Sequence, residues 1–334
     1  MKKQPTKGKI SSKIAGRGSA NRKCLLTLVG FSCNNNCLVC SVKDRKQFYP
    51  DRTTDQIISD LAKNKKKGFD QVEFTGGEPS IRQDIFLLVR TAKKLGYQQI
   101  AFSTNGRLFS YDSFCQKIIE AGLNKITFSV LGPDKKTHDA ITRTPGSFEQ
   151  IVQGIKNTKR FPQTHINVSS VICRLNFRDL KKFGEFILSL NINGWYLLDL
   201  IPDGHASLFY SQLAVRLPQL NKELNRLQAI APQFKELGFF DFPFCLLAPS
   251  LRQAPNVRLI NTKQRLDDYR QIGYDPKRLK KNKKGFYQDI HRQNVAFCQR
   301  CRYYKECGGL WKEYLERFGD KELSRLAKKN ACLL

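Results

Sequence analysis

Residues 71–106 read QVEFTGGEPSIRQDIFLLVRTAKKLGYQQIAFSTNG. Two β-rich runs, QVEFT (71–75) and QQIAFS (98–103), flank the stretch RQDIFLLVRTAKKLG (82–96). In that stretch Ile85, Leu88, Val89, Ala92 and Leu95 recur at helical spacing and form one apolar face. Gly96 follows the last turn, where a glycine can adopt the left-handed conformation that closes a helix. The segment is one strand–helix–strand unit, and each strand runs directly into a polar cluster, GGEPS (76–80) or STNG (103–106).

The same rhythm extends in both directions. Further β-rich runs are LLTLVG (25–30), KITFSV (125–130), HINVSSVI (165–172) and WYLLDLI (195–201), with helical patterns between them. Two more helices close on glycine, at Lys67-Gly68-Phe69 and Ala121-Gly122-Leu123. Six strand–helix units in a row predict an α/β fold with a parallel sheet and right-handed crossovers. Six are too few for the closed eightfold barrel, so the expectation is an open, partial (β/α)6 TIM-type barrel carrying a small Cys-rich C-terminal extension. The rhythm changes after about residue 206. A helical stretch is expected over roughly 211–237, ending at Gly238, and a Pro- and Lys-rich excursion over 249–290. The expected organisation is a basic, disordered tail over 1–23, a barrel over 24–240 and a Cys-rich module over 241–334.

Composition narrows the class. The chain has 334 residues and 40% hydrophobic side chains, enough for a substantial core. No apolar run is long enough to span a bilayer, and the basic N-terminus lacks the apolar region of a secretory signal. A cytoplasmic protein without membrane contact is expected. Its eleven cysteines cluster at short spacings, which in a long chain favours metal ligation over disulfides. The net charge of +29 is concentrated in residues 2–23, with eight basic and no acidic side chains, and in KRLKKNKK (277–284), with six. Contact with a polyanion such as RNA and a merely solvated tail and loop are both open readings.

Cys33, Cys37 and Cys40, in FSCNNNCLVCSV (31–42), follow directly on the first strand. Chemistry on parallel barrels gathers at the C-terminal ends of the strands. A structural zinc site takes four ligands. Three thiols in one loop suit a 4Fe–4S cluster with one iron left open, since thiolates are its usual ligands. GGEP, STNG and FSV (128–130) fall on the same rim, and the two glycines allow close backbone approach there.

These motifs resemble the radical S-adenosylmethionine (radical SAM) superfamily: Cys-x3-Cys-x2-Cys, here CNNNCLVC, with GGEP on the following strand. The resemblance covers roughly residues 24–205. It implies that Cys33, Cys37 and Cys40 hold a 4Fe–4S cluster whose open iron is chelated by SAM. It implies that Gly76, Gly77 and Glu78 contact the methionyl amino group, and that Ser103, Asn105 and Ser129 lie near the ribose or carboxylate of SAM. The implied chemistry is one-electron cleavage of SAM to a 5′-deoxyadenosyl radical that abstracts a hydrogen atom from substrate, with flavodoxin or ferredoxin as electron donor. Val39 departs from relatives that carry an aromatic residue before the third cysteine. Arg143 could pair with the SAM carboxylate or be a surface residue. His138 could be an acid–base group or a residue that caps local structure. No residue stands out as general base.

Near the C-terminus Cys298, Cys301 and Cys307 have x2 and x5 spacing. Zinc would accept this pattern with a fourth ligand. Cys245 is the expected fourth ligand and Cys173 the alternative, while Cys332 is placed in the tail. The arrangement resembles the SPASM/twitch extensions of radical SAM enzymes, which implies one auxiliary 4Fe–4S cluster. Trp311, Tyr314 and Phe318 read as a helix face packed on the barrel. The expected substrate is a peptide or protein. RNA or a nucleotide-derived small molecule is the alternative, and a non-catalytic metal-stabilised binding protein a minor one.

Overall fold

The computed structural model describes residues 23–47, 49–261, 269–272, 291–330 and 332. The basic tail and the KRLKKNKK run lie outside these residues, apart from Lys23.

Nine parallel strands form one sheet in the order β8-β7-β6-β5-β4-β3-β2-β1-β9. The expected six are β1 (Lys23–Leu28), β2 (Phe69–Thr75), β3 (Gln99–Thr104), β4 (Lys125–Ser129), β5 (His165–Val171) and β6 (Gly194–Leu198). The helices between them are α1 (Thr54–Lys65), α2 (Ile85–Lys94), α3 (Asp112–Glu120), α4 (Lys135–Thr142), α5 (Ser147–Lys159) and α6 (Leu180–Ser189). In α2 the buried residues are Ile85, Leu88, Val89 and Ala92, the face its spacing predicts. Gly68, Gly96 and Gly122 all have positive φ, as helix-closing glycines should. In the core Phe74, Phe102 and Phe128 of the sheet and Phe109 from the turn after β3 stack edge to face at 5.4–6.4 Å, the arrangement that ring quadrupoles favour.

The sheet is larger than six strands. β7 (Leu237–Phe240) pairs with β6, β8 (Val257–Ile260) with β7, and β9 (Tyr269–Ile272) with the far edge at β1. The sheet therefore runs past the boundary expected near residue 240. Runs of four residues carry too little periodicity to stand out in sequence. The helical stretch expected over 211–237 is instead α7 (His205–Leu208), α8 (Tyr210–Leu213), α9 (Leu217–Arg226) and two 3-10 turns. Gly238 closes no helix. It lies in β7, where a Cβ would stand 2.3 Å from the Tyr196 ring.

After α10 (Pro249–Gln253), the short hairpin β10 (Arg292–Gln293) and β11 (Leu310–Trp311) brackets the C-terminal cysteines. Helices α11 (Lys312–Phe318) and α12 (Lys321–Lys329) follow. Trp311, Tyr314, Leu323 and Leu326 are buried in the same core as the barrel, so this segment packs on the barrel as expected, although Trp311 sits on the strand before the helix. Among the described residues no helix is long and apolar enough to cross a membrane.

Candidate functional site

The loop after β1 is held in shape by four neighbouring loops. Gly77 N donates to Gly30 O at 2.7 Å and Glu78 N to Ser32 O at 2.8 Å. From α4, the last carbonyls accept from the cysteine loop: Asn36 N to Thr142 O at 3.1 Å and Leu38 N to Ile141 O at 2.9 Å. From β3, Asn105 Nδ2 donates to Asn34 Oδ1 at 2.7 Å, and Arg107 donates to Asn34 O. From the loop after β6, Ala206 N donates to Cys40 O at 3.2 Å. Asp51 accepts from the Phe31 and Ser32 amides at 2.6 and 3.1 Å. A loop of three asparagines and three cysteines has little core of its own, so its geometry is imposed by these contacts.

The two glycines of GGEP serve this packing first. A Cβ on Gly77 would lie 2.0 Å from Ser32 O, and one on Gly76 2.5 Å from Gly30 O. What approaches closely is the cysteine loop itself, and not only a ligand. Glu78 is 2% exposed, and its carboxylate accepts from Ser80 N, Ser80 Oγ, Thr104 Oγ1 and Asn105 N at 2.6–3.0 Å. It ties the rim of β2 to the rim of β3. Burial pushes its carboxyl up, and the four donors oppose that shift.

A cavity of about 400 Å³ opens over this rim. Cys33, Cys37, Cys40, Gly76, Gly77, Glu78, Ser103, Asn105 and Ser129 all line it. Arg143 does not. It caps α4 in the left-handed conformation with its side chain exposed, and the helix it ends supplies the carbonyls that hold the cysteine loop. Among the described residues the lining cation is Lys43, whose Nζ donates to Asn35 O at 3.1 Å. Sequence reasoning missed Lys43 and Arg107 because isolated basic residues carry no periodic signal. His138 is buried in α4 and its Nδ1 accepts from Leu131 N–H at 3.1 Å. Burial lowers its pKa to about 4, so it is neutral at physiological pH and holds the end of β4 in place.

The thiols fit a cluster on chemical grounds. Burial pushes the Cys37 thiol well up, and neighbouring Cys40 and Cys33 add to this. Three close thiolates are costly there unless a metal centre supplies compensating positive charge. Among the described residues no three His, Cys, Asp or Glu side chains close on one ion-sized point. A cubane asks for a wider ring, since each thiolate reaches a different iron.

The second group is richer than expected. Cys245, Cys298, Cys301 and Cys307 line one recess below the β10–β11 hairpin. Cys332, fully buried, joins them through a hydrogen bond with Cys301, and Arg252 Nη1 contacts its Sγ at 2.6 Å. That hydrogen bond, with Arg252 and Arg302 nearby, lowers Cys301, whereas burial raises Cys298 to about 11. Cys173 lies elsewhere, buried beside Val39 and Leu131. Position near the chain end hid Cys332; the pairing of Asn330 Nδ2 with Cys245 O at 2.7 Å brings it in.

Asp199 links the two regions. It follows β6, and Trp311 Nε1 donates to its Oδ2 at 2.8 Å. The part of Asp199 that protein leaves uncovered faces a recess of about 20 Å³ beside Trp311 and Tyr314. Burial pushes its carboxyl up to about 7 against the pull of Arg292. The unfolded value is about 3.9. The stability contributed by protonated Asp199 is therefore complete below pH ~4 and lost as pH rises through about 7, at no more than ~1.4 kcal/mol per pH unit. Asp199→Asn is neutral at every pH. Its urea midpoint should exceed the parent's at pH 8 and approach it at pH 4; equal pH slopes in the two proteins would refute this.

The open, all-parallel half-barrel thus turns three cysteines, a GGEP turn and an STNG loop toward one cavity. Residues 27–187 match the radical SAM superfamily, and the chain carries a radical SAM domain. Among curated relatives, a probable GTP 3′,8-cyclase of Saccharolobus islandicus is 29% identical over 182 residues, covering 54% of this chain and 58% of the relative. An AdoMet-dependent heme synthase of Oleidesulfovibrio alaskensis is 30% identical over 183 residues, covering 54% and 46%. The chain thus spans about half the length of these relatives. Streptococcus suis SuiB bound to precursor peptide SuiA has a similar fold, with a TM-score of 0.53, 15% identity, and coverage of 65% of this chain and 48% of that one.

Proposed function

We propose that the chain is a radical SAM enzyme that acts on a peptide or protein, with a second 4Fe–4S cluster in the C-terminal cysteine nest. The carrying observation is that the three-cysteine loop and the polar ends of β2, β3 and β4 open into one cavity. Cys33, Cys37 and Cys40 would hold the first cluster. The backbone of Gly76 and Gly77 would meet the methionyl amino group, and Ser103, Asn105 and Ser129 the polar groups of SAM. Bound together, cluster and SAM supply reductive carbon–sulfur cleavage and hydrogen-atom abstraction, the chemistry that a cofactor carries for its protein. The chain's own part is to orient and to exclude water. Leu26, Leu28, Phe31, Val39, Leu131 and Val171 make much of the lining apolar.

The peptide reading rests on the same lining. Among the described residues Lys43 is the one lysine or arginine lining the cavity, whereas a triphosphate calls for several cations or helix N-termini. SuiB, of similar fold, is a protein seen with a peptide. The nucleotide reading has the 29% identity to a probable GTP 3′,8-cyclase in its favour. Reduced thiols in both centres suit a cytoplasmic setting, with flavodoxin or ferredoxin as electron donor.

The test begins with iron, acid-labile sulfide and zinc per chain after anaerobic reconstitution. About eight irons with eight sulfides are expected, the content of two 4Fe–4S clusters. 5′-Deoxyadenosine release is then measured with GTP, with structured RNA and with a peptide library. Stimulation by peptide alone supports the proposal. Stimulation by GTP or RNA, with peptides inert, replaces it with the nucleotide reading.

A further inference from the structure

We propose that Arg252 is the counter-ion of the C-terminal centre and sets that centre's reduction potential. The inference rests on the reading of the cysteine nest as a cluster site. Arg252 lies in α10 and is 8% exposed. Its Nη1 donates to Cys332 Sγ at 2.6 Å and Phe244 O at 3.1 Å, and its Nη2 donates to Asn330 O at 2.7 Å. The guanidinium stacks over Tyr303, 5.0 Å from the ring centre. Its Nε has no hydrogen-bond partner among the described residues, and no described carboxylate forms an ion pair with it.

A guanidinium does not give up its proton, so Arg252 is charged in the interior. A buried charge needs a counter-charge. Carbonyls offer dipoles only. Among the described residues, the groups at hand that can carry compensating charge once bound to a cluster are the sulfurs of Cys332, Cys301 and Cys245. Thiolates gathered on a cluster supply the charge. Arg252 in turn stabilises the reduced, more negative cluster, because hydrogen bonds and positive charge at the sulfurs raise the potential.

The experiment uses the full chain, first as the parent and then with Cys33, Cys37 and Cys40 all replaced by alanine, so that remaining iron reports the C-terminal centre. The midpoint potential is read by EPR during titration with dithionite. Arg252→Gln is expected to lower the reduced-to-oxidised ratio at a fixed potential about tenfold, equivalent to ~59 mV for one electron. Arg252→Lys, which keeps the charge, should stay within about threefold of the parent ratio. An unshifted midpoint at full iron content in Arg252→Gln overturns the proposal. If Arg252→Gln loses the iron, retention by Arg252→Lys supports the charge role, and equal loss from both overturns it. A parent with no iron beyond its first cluster refutes the cluster reading, and this inference with it, before any Arg252 variant is made.

Discussion

Replacing Cys37 with alanine should remove about four of about eight irons per chain, one cubane, while leaving the C-terminal iron in place. Reductive cleavage of SAM should fall by at least ~10³-fold, a loss of more than ~4 kcal/mol of transition-state stabilisation. Cys37 stands at the centre of the loop, its thiol raised by burial and by Cys40 and Cys33 on either side. Its backbone carbonyl faces His205 Nδ1 at 3.3 Å, and Leu38 N is fixed on Ile141 O. Alanine keeps those backbone contacts, so the fold should persist and the loss should be confined to the metal. Iron and sulfide analysis with 5′-deoxyadenosine release reads both effects. A Cys37→Ala protein that keeps all its iron and cleaves SAM would place the first cluster elsewhere.

The second large effect is expected at a residue that touches no metal. Gly77→Ala puts a methyl 2.0 Å from Ser32 O and 2.7 Å from the Phe31 carbonyl carbon. Both obstacles are backbone, so no side chain can rotate away. Relief requires separation of the GGEP turn from the cysteine loop, with loss of the Gly77–Gly30 and Glu78–Ser32 hydrogen bonds. Overpacking and two lost bonds together cost about 3 kcal/mol, read as a lower urea midpoint. Cluster incorporation should fall in the same variant, because Cys33 follows Ser32 directly. Gly68→Ala is the control. Its Cβ meets nothing within 4 Å, so it should lose only the left-handed backbone preference, about 1 kcal/mol, and keep its iron. Equal behaviour of the two variants would mean that the turn does not hold the loop.

Much of the barrel was legible from local pattern. α2 buries the face that its spacing marks, and three glycines turn left-handed where helices end. These features depend on near neighbours in the chain, so a window of about fifteen residues contains their cause. β7, β8 and β9 were not legible. Each has four residues, and each is a strand because an edge of the existing sheet offers unpaired backbone groups. Gly238 shows the difference: in sequence it resembles a helix end, and in the fold it makes room for Tyr196.

Residue types at short spacing were enough to set the repeating strand–helix units, the rim on which the polar clusters fall, and the three-cysteine loop with its GGEP partner. It took the folded chain to leave Arg143 outside the cavity that Lys43 lines, to use Glu78 for lashing two loops together, and to bring Cys332 and Arg252 to Cys245 and Cys301. The last two outcomes depend on contacts between residues 26 to 85 positions apart. No local window contains such partners, and burial between them decides which charges must be paired and which side chains remain available for chemistry.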